Sequence, residues 1–182
     1  MTSPIHYLTV GNRIPKDYFV TKGKGESDIT IHAGSYHLAL KKAGIEMCNI
    51  ITYSSILPAI AKEVKKTANQ IHGSVMETIM AVANAEKGGL ATAGIIYGWL
   101  HDNKSGNKYG GLVCEYNGNK TDRDARIQLS QSLQELYENG FSKDYSIKNI
   151  RCITETIKPK KEYGTALVAL CFVNYLYPVI NG

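Results

Sequence analysis

Apolar and polar positions change their period several times along the chain, and each change marks an element. Met47 to Tyr53 is apolar and β-branched with no polar face, which predicts a buried strand. Ala91–Leu100 and Gly110–Tyr116 predict two more strands, with Asn103–Asn107 as the hairpin loop between them. Asp124 to Asn139 has a helical period: Ile127, Leu129, Leu133, Leu136 and Tyr137 form a mostly one-sided apolar face, and Gly140 ends it. Ser35 to Ala43 reads as a shorter helix, with Ser35 as N-cap and Gly44 at the C′ position. Thr9–Ile14, Asp17–Thr21 and Ile29–His32 read as short β-structure, and the glycine-containing run Lys22–Ser27 as a turn-rich loop. Ser74–Ala85 fits a strand pair or a short helix, and Thr67–Ile71 fits either type. Ile147–Ile157 and Tyr163–Tyr175 read as closing strands. The pattern is α+β, with strands dominant and one long helix late.

Composition narrows the class of protein. A chain of 182 residues suits a single domain with a core that needs neither disulfides nor metal. Its 43% apolar and 20% charged residues are ordinary globular values. No apolar run is long enough to cross a bilayer, and MTSPIHYLTVGNRIPKDYF has no basic stretch followed by an apolar one. A cytoplasmic location without a membrane partner is expected. Cys48, Cys114, Cys152 and Cys171 are widely spaced among apolar residues, so they read as buried thiols, with no metal site. The lysines at 62, 65 and 66, and at 158, 160 and 161, lack interleaved aromatics. They read as solvated surface, and nucleic-acid binding is not expected.

The segment Asn49-Ile50-Ile51-Thr52-Tyr53-Ser54-Ser55-Ile56-Leu57-Pro58 carries the chemistry. By composition alone it is a strand end followed by a turn. Two adjacent serines in a tight turn permit more. The Ser55 hydroxyl can attack the carbonyl of Ser54 where the backbone is strained and the oxyanion is stabilised. The resulting ester can eliminate to a dehydroalanine, which hydrolyses to an N-terminal pyruvoyl group.

These residues, with others, resemble the pyruvoyl-dependent arginine decarboxylases of archaea and bacteria. The serine pair fits the family's pattern of Asn, five residues, Ser, two hydrophobics and Pro, starting at Asn49. Gly23-Lys24-Gly25-Glu26-Ser27 is similar to its Gly-rich segment, and Ala39-Leu40-Lys41-Lys42-Ala43-Gly44-Ile45 to its A-L-x-x-A-G-I stretch. His72–Ala81 (HGSVMETIMA), Ala91–Trp99 (ATAGIIYGW), Gly110–Tyr116 (GGLVCEY) and Lys160–Asn174 (KKEYGTALVALCFVN) are similar to its later strands. The resemblance runs from about Phe19 onward, and it rests on the order and spacing of the motifs together.

The resemblance implies a single-domain α/β sandwich with mainly antiparallel sheets, assembled as a homotrimer or dimer of trimers with active sites between subunits. It implies self-cleavage between Ser54 and Ser55, giving a β chain of residues 1–54 and an α chain of 55–182. The cofactor is then a covalent pyruvoyl group derived from Ser55, which takes the substrate amine as a Schiff base. Glu115 matches the family's proton donor, with a role that comes after cofactor formation, and Asn49 matches a residue that assists cleavage. Glu115, flanked by Val113, Cys114 and Tyr116, is expected to sit partly out of water, which favours its protonated form. His32 and His72 have nothing to position them as bases and read as structural or surface.

One position departs from the family. An Asp that binds the substrate guanidinium lies twelve residues before the Asn, and here that position is His37. A carboxylate holds a guanidinium through paired, charge-assisted hydrogen bonds, which a histidine cannot replace. Either Glu46 or Asp28 takes the guanidinium, or a local register shift returns the role to a nearby residue, or the substrate is a different amino acid. The expected reaction is arginine to agmatine plus CO2, for polyamine synthesis or acid resistance. The alternatives are the same chemistry on another amino acid, and a non-processing homologue with a structural or regulatory role.

Overall fold

The computed structural model describes residues 9–66 and 70–179. In chain order the elements are β1 (Ile14–Pro15), β2 (Asp17–Ser27), a wide π-type helical segment (Ile31–Tyr36) that runs into α1 (His37–Ala43), β3 (Asn49–Thr52), β4 (Ile56–Pro58), β5 (Lys62–Glu63), β6 (Val75–Glu86), β7 (Ala91–Asp102), β8 (Lys108–Gly118), α2 (Asp122–Gly140), β9 (Tyr145–Ile157), β10 (Tyr163–Phe172) and β11 (Tyr175–Leu176).

Two sheets face each other. One has the order β3-β6-β10-β2-β5, the other β4-β8-β7-β9, and β1 pairs with β11 apart from both. Pairing is antiparallel except for β2 with β5 and β3 with β6. Side chains alternate across each strand, so each sheet has two lined faces. Between the sheets lie Tyr18, Leu57, Ile79, Ile95, Tyr97, Val113, Val168 and Leu170. On the outer face of the five-stranded sheet, Phe19, Met76, Leu167, Ala169 and Cys171 pack against Ala39, Leu40 and Ala43 of α1. On the outer face of the other sheet, Ile96, Leu112 and Tyr116 pack against Ala125, Leu129 and Leu133 of α2. The α+β reading holds, with helices outside and sheets inside.

The long helix and the central strands form where periodicity places them. Helix α2 starts at a Thr121 cap, whose hydroxyl oxygen accepts from the Asp124 backbone N–H at 3.2 Å. The hairpin at residues 103–107 turns through Gly106 at φ 72°. Gly44 ends α1 in the left-handed region at φ 66°, as a C′ glycine should.

Five expectations need correction. The run Lys22–Ser27 is not a loop: β2 continues through it. Its glycines serve helix–sheet approach. A Cβ on Gly23 would lie 2.1 Å from the Ala39 carbonyl oxygen, and one on Gly25 would lie 2.5 Å from the Leu38 Cβ. Ile29–His32 is not a strand, because the chain already coils from Ile31. Ser35 is therefore inside the helix rather than capping it; its buried hydroxyl donates to the Ile31 carbonyl at 2.9 Å and shares a 2.8 Å bond with the Thr165 hydroxyl. The Met47–Tyr53 strand is shorter and not buried, because β3 is the outer strand of its sheet and leaves Ile51 47% exposed. Lys66 is more than solvated surface: its ammonium donates to the Ala43 carbonyl at 2.6 Å, at the negative end of α1. Of the ambiguous segments, Ser74–Ala85 is one strand, and Thr67–Ile71 lies partly outside the described residues.

Candidate active site

The Ser54–Ser55 peptide lies where the chain leaves one sheet for the other. Strand β3 pairs with β6 in the five-stranded sheet, and β4 pairs with β8 in the four-stranded sheet. On the upstream side the Tyr53 backbone N–H donates to the Thr78 carbonyl at 2.7 Å. On the downstream side the Val113 N–H donates to the Ser55 carbonyl at 3.1 Å. Leu57, fully buried between the sheets, fixes β4. Its burial stabilises this anchor by about 1.5–3 kcal/mol.

Between the anchors the chain turns tightly. The Ile56 N–H donates to the Ser54 carbonyl at 2.9 Å, an i to i+2 bond that makes Ser55 the centre of a three-residue turn. Among the described residues Asn149 is the only non-glycine with positive φ, so the turn at Ser55 is of the inverse, lower-energy form. Left-handed backbone strain is therefore absent from the serine pair. The geometry is held by two sheets that grip the chain on either side, and a backbone donor already polarises the Ser54 carbonyl.

Opposite the turn stands Glu115. The Ser55 hydroxyl donates to its two carboxylate oxygens, Oε1 at 2.8 Å and Oε2 at 2.7 Å. Register explains why the acid is reachable. Strand β4 pairs with β8 only from Gly110 to Leu112, so β8 is an uncovered edge from Glu115 onward. Glu115 pairs with Ile95 and shares the inter-sheet face with Ile95 and Val113. It is half-buried there. The neighbouring Cys114 points to the opposite face; burial, and next the Glu115 charge, push its thiol up to about 11.

The other expected residues do not join this pair within one chain. Asn49 opens β3, and its side-chain amide donates to the Gly73 carbonyl at 2.9 Å; it makes no hydrogen bond to Ser54 or Ser55. His37 is exposed at the start of α1, and Glu46 is half-buried in the turn after it. Helix α1 covers the outer face of the five-stranded sheet, on the opposite side from the inter-sheet face that carries Glu115. Asp28 forms a surface pair with Lys161 at 3.5 Å.

Sequence reasoning missed a second acidic group. Glu77, in β6, is only 3% exposed and faces the inter-sheet space. The Tyr53 hydroxyl donates to Glu77 Oε2, the Arg13 Nε donates to the same oxygen at 3.2 Å, and the other Arg13 nitrogen pairs with Oε1. The signal was the acid inside the apolar run Val75-Met76-Glu77-Thr78-Ile79-Met80, since an unpaired charge would not be buried there.

Known proteins resemble this chain over nearly its whole length. The family model described as pyruvoyl-dependent arginine decarboxylase matches residues 17–176. The chain is 31% identical to pyruvoyl-dependent arginine decarboxylase AaxB of Chlamydia abortus and 33% identical to that of Chlamydia muridarum, in each case over 92% of this chain and 95% of the relative. It is 28% identical to the pyruvoyl-dependent arginine decarboxylase of Methanopyrus kandleri, over 87% of this chain and 97% of the relative. With a hydroxyl, a polarised carbonyl and a carboxylate gathered at one sheet crossing, and with similarity over nearly its whole length, the chain belongs to the pyruvoyl-dependent arginine decarboxylase family of carboxy-lyases.

Proposed function

We propose that the chain cleaves itself between Ser54 and Ser55 and that the product decarboxylates arginine to agmatine and CO2. The observation that carries this reading is the Ser55 hydroxyl donating to Glu115 beside a hydrogen-bonded Ser54 carbonyl. The carboxylate draws the proton from Oγ as Oγ attacks the Ser54 carbonyl carbon. The Ile56 N–H, already 2.9 Å from the Ser54 oxygen, holds the negative charge that develops there. The carbon–nitrogen bond breaks, the nitrogen of Ser55 takes the proton, and an ester links the two residues. Loss of the Ser55 Cα proton and rupture of its Cβ–Oγ bond then release the Ser54 carboxylate. The dehydroalanine left behind takes up water and releases ammonia, leaving the ketone at residue 55.

The residues present fit that group: the turn leaves residue 55 half-exposed at a sheet edge, with an acid at bonding distance. When formed, the group supplies an electron sink for loss of CO2 from an amino acid. Glu115 remains beside it to return a proton to the substrate carbon, and the edge of β8 gives it access to solvent for reloading.

His37 and Glu46 would serve the substrate side chain from a neighbouring subunit of a homotrimer, or of a dimer of trimers, since within one chain they lie outside the sheet. Asn49 would act on cleavage through the same interface. The four free thiols fit a reducing compartment, and we place the reaction in the cytoplasm. No described helix is long and apolar enough to cross a membrane. A different amino acid is the second reading, carried by His37 where the family has an Asp. Intact mass of the denatured protein tests processing, with two chains expected. CO2 release from each of the common amino acids tests the substrate, with arginine expected to be fastest. A single intact chain after long incubation, or CO2 release that is not fastest from arginine, overturns the corresponding half.

A further inference from the structure

We propose that the Arg13–Glu77–Tyr53 cluster, built on the buried Glu77 carboxylate, positions the scissile peptide for self-cleavage, acting through Tyr53 as the upstream anchor of the turn. The inference rests on the self-processing reading above. The chain between β3 and β4 has few other holds on its upstream side. Ser54 is exposed, and β3 is an edge strand with Asn49, Ile51 and Thr52 exposed. Tyr53 is the last residue before the scissile bond with a side chain packed inside. Its ring lies against Phe172 with centroids 5.7 Å apart, its backbone N–H bonds Thr78 at 2.7 Å, and its hydroxyl bonds Glu77.

Glu77 gives the anchor its stiffness. A carboxylate buried to 3% exposure stays charged only when its lone pairs are filled. Arg13 fills them in a forked pair, and Tyr53 supplies the remaining donor. The Arg13 guanidinium in turn lies 5.6 Å over the Tyr175 ring, which ties the cluster to the strand pair β1–β11. A hydroxyl held by a buried carboxylate, on a ring packed against Phe172, has one favoured position, so the Tyr53 Cα, two residues from the attacking Ser55, is held relative to the five-stranded sheet. Glu115 and Ser55 are fixed relative to the four-stranded sheet. The attack distance between Oγ and the Ser54 carbonyl is then set by how firmly both sheets hold their ends.

The test uses Tyr53→Phe, which keeps the ring and removes only the hydroxyl, together with Glu77→Gln and Arg13→Lys. Each is purified cold as precursor, warmed, and followed by intact mass, with thermal melting and turnover per processed chain measured alongside. We expect Tyr53→Phe and Glu77→Gln to slow cleavage tenfold or more, and Arg13→Lys, which keeps the charge, to slow it less. Melting temperatures should stay within a few degrees of wild type, and turnover per processed chain within about twofold, because Ser55 and Glu115 are untouched. Tyr53→Phe cleaving at the wild-type rate overturns the proposal. So does a loss of cleavage that only tracks the unfolded fraction, because the cluster would then be structural alone. A wild-type chain that never cleaves instead removes the self-processing reading on which the proposal stands.

Discussion

Replacing Glu115 by Gln keeps the shape of the side chain and removes its charge. From sequence, Glu115 has work only after the cofactor exists, and the variant should process normally. The mechanism proposed above gives it an earlier role, because in the intact chain the Ser55 hydroxyl donates to both carboxylate oxygens, at 2.8 and 2.7 Å. A hydrogen bond to a charged acceptor contributes about 1.5–3 kcal/mol, against about 1 kcal/mol for a neutral one. Gln retains one acceptor oxygen, so about 0.5–2 kcal/mol is lost, which is about 2- to 30-fold in rate. That is a lower bound, since an amide cannot take the hydroxyl proton, and general-base assistance contributes about a hundredfold or more. Glu115→Gln should therefore cleave at least about twofold more slowly, and the fraction that does cleave should turn over about a hundredfold more slowly or worse. Intact mass against time gives the first number, and labelled CO2 release per processed chain gives the second. Processing at the wild-type rate refutes a role for the carboxylate in activating Ser55. Near-normal turnover per processed chain refutes its role as proton donor.

Ser55→Ala should remain a single chain in intact mass after days of incubation, whereas Ser55→Cys should cleave slowly, since a thiol also makes the acyl shift. His37→Asp should raise specificity for arginine by about tenfold to a hundredfold if residue 37 meets the substrate side chain, measured as kcat/KM. Good arginine kinetics in the native enzyme with no gain in the variant would give that role to Glu46. Gly23→Ala should lower the melting temperature by about 5–10 °C, because its Cβ would meet the Ala39 and Ala43 backbone at 2.1 and 2.7 Å and α1 would have to lift. An unchanged melt would show that the contact is looser than described. Burial raises the Cys114 thiol to about 11 and Cys171 to about 12, so their thiolate fractions grow about tenfold per pH unit below those values. Alkylation at pH 8, read by peptide mass, should leave both largely unmodified, and Cys114 should react faster as pH rises toward 11. Rapid labelling of either at pH 8 contradicts the burial.

Sequence alone determined the elements whose side-chain period is unbroken. Helix α2, the hairpin of β7 and β8, and Gly44 as the end of α1 follow from local rules: one apolar face, one turn, one glycine at positive φ. The order of motifs was enough to name the family, and the resemblance is what singled out the serine pair and Glu115 as candidates. What local pattern could not decide was everything set by neighbours distant in the chain. Gly23 and Gly25 read as turn residues, since glycine permits turns; only the helix lying on β2 shows that they are there for lack of a side chain. Strand β3 reads as buried because its residues are apolar, and only the sheet order reveals that it is an edge. The contact of Ser55 with Glu115 joins residues 60 apart in sequence, and that of Tyr53 with Glu77 joins residues 24 apart. The first depends on the chain changing sheets between Tyr53 and Ile56, the second on the pairing of β3 with β6. Periodicity reports which face of an element is buried, and it carries no information about which sheet the next element will join.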